Sequence, residues 1–164
     1  MLGNFGFSYI GFIYLLMLWI PNSLWARRKP QGYDPTGENK LLLALERVGQ
    51  VLCTASILLF NDYNPRTIEP WTAWLIVSAA LMILYEFFWL RYFSGKQRVA
   101  DFYRSLWGIP APGATLPVAA FLLLGIYGKV IWLILASVVL GIGHVGIHLQ
   151  HIQDLHSLDK KKGC

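Results

Sequence analysis

Apolar residues in this chain neither alternate nor recur on a single helical stripe. They come in long runs separated by short polar clusters. A bilayer's hydrocarbon core is about 30 Å thick and a helix rises about 1.5 Å per residue, so a crossing needs roughly 20 apolar residues. On that scale the pattern predicts five spans, at about 5–25, 37–60, 71–93, 106–127 and 130–151. The first separator, Ala26 to Lys40, carries Arg27-Arg28-Lys29-Pro30 and Tyr33-Asp34-Pro35. Asp34 as N-cap with Pro35 at the first helical position predicts that the second helix starts there. Asn61-Asp62-Tyr63-Asn64-Pro65 is dense in turn residues, and Pro70 then opens the third helix. The polar, basic stretch from Arg91 to Arg104 is broken from the third span by Ser94-Gly95 and predicts a short interfacial helix.

From Leu106 to His151 the chain is again largely apolar. As one helix it would be about 69 Å long, more than twice the core thickness, so it must fold back. Gly125, Gly128 and Lys129 place the turn, while Pro110, Pro112 and Pro117 kink the fourth helix or delay its start. Charge then orients the bundle. Five crossings put Arg27, Arg28, Lys29, Lys40, Arg91, Lys96, Arg98, Arg104, Lys160, Lys161 and Lys162 on one side. Only Arg66 and Lys129 fall on the other, and Arg47 lies within the second span. By the positive-inside rule the N-terminus is outside and the C-terminus cytoplasmic. Most of the seven tryptophans fall near span ends, as an aromatic belt would. Met1 to Ile20 has no basic leader and no small-residue cleavage site after it, so it reads as a first span rather than a signal peptide.

Composition agrees with lipid as the main solvent. Of 164 residues 55% are hydrophobic and 14% charged, against about a quarter charged in soluble domains. The expectation is an all-α integral membrane helical bundle, a single domain over 1–164, multi-pass in the cell membrane, with the lipid bilayer as partner. The net charge of +5 does not indicate a nucleic-acid partner, because the basic residues sit between apolar runs rather than on one soluble face. Cys53 and Cys164 offer no disulfide framework and no Cys-x-x-Cys metal spacing. A bundle this small is also a candidate homo-oligomer. The absence of an internal repeat counts against the inverted-repeat transporter plan.

Ionisable residues inside spans are costly and are functional candidates by default. Glu46 and Arg47 lie early in the second span, Glu86 late in the third, and His144, His148 and His151 late in the fifth. All therefore fall in the cytoplasmic half. Ser137, Gly141, His144, His148 and His151 follow 4-3-4-3 spacing and form one stripe; Glu46, Gln50 and Cys53 form another, with Gly49 beside it. If the stripes face each other they enclose a pocket of Glu46, Gln50, Glu86, His144 and His148, fit for a metal or a small or lipidic ligand. His144, His148 and Glu86 are the expected metal ligands, of a kind that suits zinc or non-haem iron. No Glu follows the first His as in a zincin. Gly141, Gly143 and Gly146 read as a helix-packing surface rather than a phosphate loop. The readings left open are a membrane enzyme on a lipidic substrate, a proton-linked transporter, and a structural or assembly subunit whose polar residues fix helix register. The tail from Gln150 to Lys162 is amphipathic, with lysines set against headgroups.

Overall fold

A computed structural model describes residues 2–30, 32–65 and 67–162, with side chains as far as residue 157. Arg66, Cys164 and the side chains of Lys160, Lys161 and Lys162, which entered the charge and cysteine arguments, lie outside the described residues. The chain is all-helical: α1 Tyr9–Arg27, α2 Lys40–Leu59, α3 Ala73–Phe93, α4 Val99–Tyr103, α5 Pro112–Gly128 and α6 Ile131–Lys162. Among the described residues four helical segments are long and apolar enough to cross a membrane: Tyr9–Arg27, Lys40–Leu59, Pro70–Phe93 and Ile131–Ser157. The fifth apolar helix, α5, has 17 residues and is about 25 Å long, shorter than the others.

Local chemistry sets the helix ends. The Ser8 hydroxyl accepts from Gly11 N–H at 2.9 Å and caps α1. Asn39 Oδ1 accepts from Leu41 and Leu42 N–H at 2.9 and 3.3 Å and caps α2. The second helix therefore begins at Lys40, not at Asp34-Pro35. Asp34 instead accepts from Thr36 N–H at 2.9 Å in an Asx turn. The reason is tertiary. Gln150 on α6 donates to Gly37 O at 2.7 Å and accepts from Asn39 N–H at 3.2 Å, so this stretch spends its backbone groups on another helix. The fourth apolar run begins its helix only at Pro112, after a turn in which Leu106 and Ile109 exchange backbone hydrogen bonds. Ala111, the residue before it, takes the left-handed conformation (φ 43°, ψ 58°).

The fold-back between α5 and α6 is a Schellman cap: Val130 N–H bonds Gly125 O at 3.0 Å and Lys129 N–H bonds Ile126 O at 3.1 Å. Lys129 (φ 54°), not a glycine, holds the left-handed position. Gly128 serves close approach instead, since a Cβ there would sit 2.6 Å from the Tyr63 ring.

The most extensive helix pair is α2 against α6, with α3–α5 and α5–α6 next and α1 the most sparsely packed of the long helices. Small residues explain the α2–α6 contact: a Cβ on Gly49 would lie 2.5 Å from Leu140 Cα, and one on Gly143 would collide with the backbone of Leu42 and Glu46. Met82, Tyr85, Phe88, Phe121, Leu124 and Leu133 fill the middle of the bundle. Through it runs a polar chain in which Ser78 Oγ donates to Ala120 O at 2.7 Å and meets Tyr14 Oη at 3.1 Å, tying α1, α3 and α5. The exterior is apolar. Trp19, Val51, Ile83, Leu90, Leu135 and Ile142 are each more than half exposed. Soluble monomers rarely show so much contiguous apolar surface, which is what a lipid-facing surface requires.

Candidate functional site

At one end of the bundle the N-terminal segment pairs with the end of α2, and Trp71 Nε1 donates to Tyr127 O at 3.0 Å. The opposite end gathers the end of α1, the α1–α2 loop, the start of α2, the end of α3, α4 and the C-terminal half of α6. Arg27, Arg28, Lys29, Lys40, Arg91 and Arg104 lie there, and it is called the basic end below.

The histidine stripe of α6 faces α2 and the α1–α2 loop. His144 Nδ1 lies 2.6 Å from Glu46 Oε1, and Gln50 Nε2 donates to the same carboxylate oxygen at 3.2 Å. One turn nearer the basic end, His148 packs edge-on against His144, with ring centroids 4.6 Å apart, and against Phe102 and Tyr103 of α4. A further turn along, His151 Nε2 lies 3.0 Å from Glu38 Oε1, its ring stacked on Tyr103 and tilted against Tyr33. Trp25 sits between Tyr33 and Phe102, joining α1 to this cluster. Burial raises the Tyr33 phenol to about 12, with the neighbouring Glu38 charge adding to the shift. Burial raises the Tyr103 phenol as well. The two histidine–carboxylate pairs thus clamp α6 onto α2 and onto the loop before it.

Glu46, Gln50, His144 and His148 come together; Glu86 does not join them. Glu86 Oε1 is buried without a hydrogen-bond partner among the described residues, and no ion pair links it to the histidines. Glu86 is not among the residues that line the cavity with Tyr85. Of the residues expected to hold zinc or non-haem iron, His144 and His148 are adjacent, and no hydrogen bond or ion pair among the described residues joins Glu86 to them. Among the described residues no three His, Cys, Asp or Glu side chains converge as a metal site. His144 Nδ1 is engaged by Glu46, and the two form a histidine–carboxylate dyad.

Next to the dyad lies a cavity of about 360 Å³ that draws residues from α1, α2, α3, α5 and α6. Its walls are mostly apolar, with Leu15, Leu18, Pro117, Val118, Phe121 and Leu140 among them. The polar lining is Asn22, Gln50, Thr54, Tyr85 and His144. Asn22 Nδ2 donates to Leu18 O at 2.8 Å and to Tyr85 Oη at 2.6 Å. Trp19, at the rim, is 75% exposed, so the cavity opens sideways beside the sparsely packed α1. Cys53 also lines it and is unpaired by disulfide; its thiol contacts Ser137 Oγ at 4.0 Å.

Asn22 and Tyr85 were not singled out by the sequence, although Asn22 is a polar residue inside an apolar run and so carried a signal. Tyr85 carried none, because a tyrosine in an apolar helix reads equally well as packing. Glu38 sits in the loop and gained its importance only when α6 folded back over it. No protein family model, no curated protein and no solved structure matches the chain.

Proposed function

We propose that this is a small multi-pass membrane protein, crossing the bilayer five times with its basic end in the cytoplasm, whose central cavity binds an amphiphilic small molecule taken laterally from the inner half of the membrane. The observation that carries the reading is the cavity: about 360 Å³, lined from five helices, apolar on most of its wall, with a few polar groups gathered around His144. That combination of apolar wall and sparse convergent polar groups is the usual make-up of a small-molecule site. The sideways opening beside Trp19 suits a ligand that arrives from lipid rather than water. Glu46 holds the His144 ring in one orientation, so the polar end of the ligand meets a fixed partner. Arg27, Arg28, Lys29, Lys40, Arg91 and Arg104 at the basic end, against Lys129 at the other among the described residues, support the cytoplasmic orientation.

The test is native mass spectrometry of the full chain released from membranes in mild detergent, comparing wild type with Val118→Phe and Leu15→Trp, which fill the cavity from two sides. The expected result is a bound amphiphile on wild type, depleted in both variants while helical content is kept. Equal retention in all three, or none in wild type, would overturn the reading.

A second reading has its own support. The pairs Glu46–His144 and Glu38–His151 fix α6 in register against α2 and the preceding loop, which is a structural role whether or not a ligand binds.

A further inference from the structure

The hydrogen-bond inventory of the cavity is lopsided, and the imbalance selects a ligand class. A carboxylate only accepts, so the hydrogen shared between Glu46 and His144 sits on Nδ1, which leaves Nε2 of this cavity-lining residue without a hydrogen bond among the described residues. In the neutral ring that nitrogen is an acceptor. The same logic fixes both amides. Gln50 must present its NH₂ to Glu46, leaving its carbonyl oxygen over. Asn22 must present its NH₂ to Leu18 O, and that nitrogen also reaches Tyr85 Oη, so Asn22 Oδ1 is left over too. Two amide oxygens with no hydrogen bond among the described residues therefore line one cavity, and the neutral form of His144 adds a third acceptor. Tyr85, which accepts from Asn22, is fully buried, and Thr54 supplies the accessible hydroxyl.

From this we infer that the cavity recognises a neutral amphiphile through a hydroxyl group, such as a long-chain alcohol, and discriminates against an anionic head. A hydroxyl donates to one of the acceptors while accepting from Thr54. A carboxylate can only accept. It would meet these acceptor atoms with nothing to offer them, and away from water an unpaired acceptor is costly. An ether of the same length also lacks the donor. No Lys or Arg lines the cavity to compensate a negative head. The inference rests on the binding reading above and names the chemistry of its ligand.

The experiment uses the full chain in lipid nanodiscs, with dodecanol, dodecyl methyl ether and dodecanoate probes brominated along the chain to quench tryptophan at the rim. The readout is the saturable part of the quenching, the part lost in Val118→Phe and Leu15→Trp. Expected is half-saturation by the alcohol at a concentration at least tenfold below that of the ether or the carboxylate. His144→Phe should shrink that ratio toward one, and His144→Gln, which keeps an acceptor, should restore part of it. Tighter or equal binding of the ether or the carboxylate to wild type overturns the hydroxyl assignment while leaving the cavity as a binding site. Absence of any saturable component with all three probes overturns the binding reading itself.

Discussion

Replacing Gly143 by alanine tests the join on which the site depends. Gly143 lies against the α2 backbone: an added Cβ would be 2.6 Å from Leu42 O, 2.8 Å from Glu46 Cα and closer still to Glu46 N. Ordinary contact for a Cβ begins at 3.4 Å, and the opposing atoms are backbone, which cannot rotate away. To admit the methyl, α2 and α6 must part by about 1 Å, a gap that forfeits a quarter to a half of each affected dispersion contact. The same displacement would lengthen the 2.6 Å Glu46–His144 contact to roughly 3.6 Å, outside hydrogen-bonding range. Overpacking of this kind costs about 1–3 kcal/mol. Alanine's helix preference over glycine returns up to about 1 kcal/mol.

Gly141→Ala is the internal control. Its Cβ would meet only the Val118 side chain, at 3.1 Å, so the helix preference should dominate and the variant should be neutral or slightly stabilised. Reversible unfolding in mixed micelles, followed by far-UV circular dichroism, should rank Gly141→Ala at or above wild type. Gly143→Ala should fall below it by about 1–2 kcal/mol, and Gly49→Ala should follow Gly143→Ala. If Gly143→Ala proves as stable as Gly141→Ala, the close backbone approach of α2 and α6 is wrong, and with it the placement of the dyad.

Two other outcomes follow from backbone and charge. Ala111 is buried in a left-handed conformation that costs an L-residue about 1–2 kcal/mol. Relief of that cost is largely offset by the lost methyl (about 0.8 kcal/mol) and glycine's extra unfolded-state entropy, so Ala111→Gly should stay within about 1 kcal/mol of wild type; a loss of about 2 kcal/mol or more in the same unfolding assay would contradict the assigned turn. Tyr33, raised to about 12 by burial, holds its proton more tightly folded than unfolded. Its contribution is therefore fully present below pH 10 and is lost as pH climbs through 12. Ultraviolet difference titration of wild type against Tyr33→Phe should show the missing phenol ionising near pH 12, and ionisation near pH 10 would mean that the loop does not cover it.

Much of the architecture was written in the order of residues. Burying a helix in lipid requires an unbroken apolar stretch, so the runs, the polar separators and the need to fold back after Leu124 could all be read one residue at a time. The histidine stripe of α6 and the Glu46–Gln50 stripe of α2 were equally legible, because helical period alone places residues three or four apart on one face.

What the order of residues did not decide was which faces meet. Asp34-Pro35 has the form of a helix start, yet Gln150, more than a hundred positions away, holds Gly37 and Asn39 and moves the start to Lys40. Glu86 was expected at the depth of Glu46, yet no hydrogen bond or ion pair among the described residues joins it to the histidines, and the rotation of α3 is set by how Tyr85, Phe88 and Met82 pack into the middle of the bundle. The cavity is a tertiary object altogether. It exists because α1 stands off from the other helices and because glycines draw α6 onto α2, and neither distance is a property of any one segment. Periodicity specifies a helix and its stripes; the rotation and separation of helices come from side-chain volumes summed across several segments, and these become definite only when the segments are packed together.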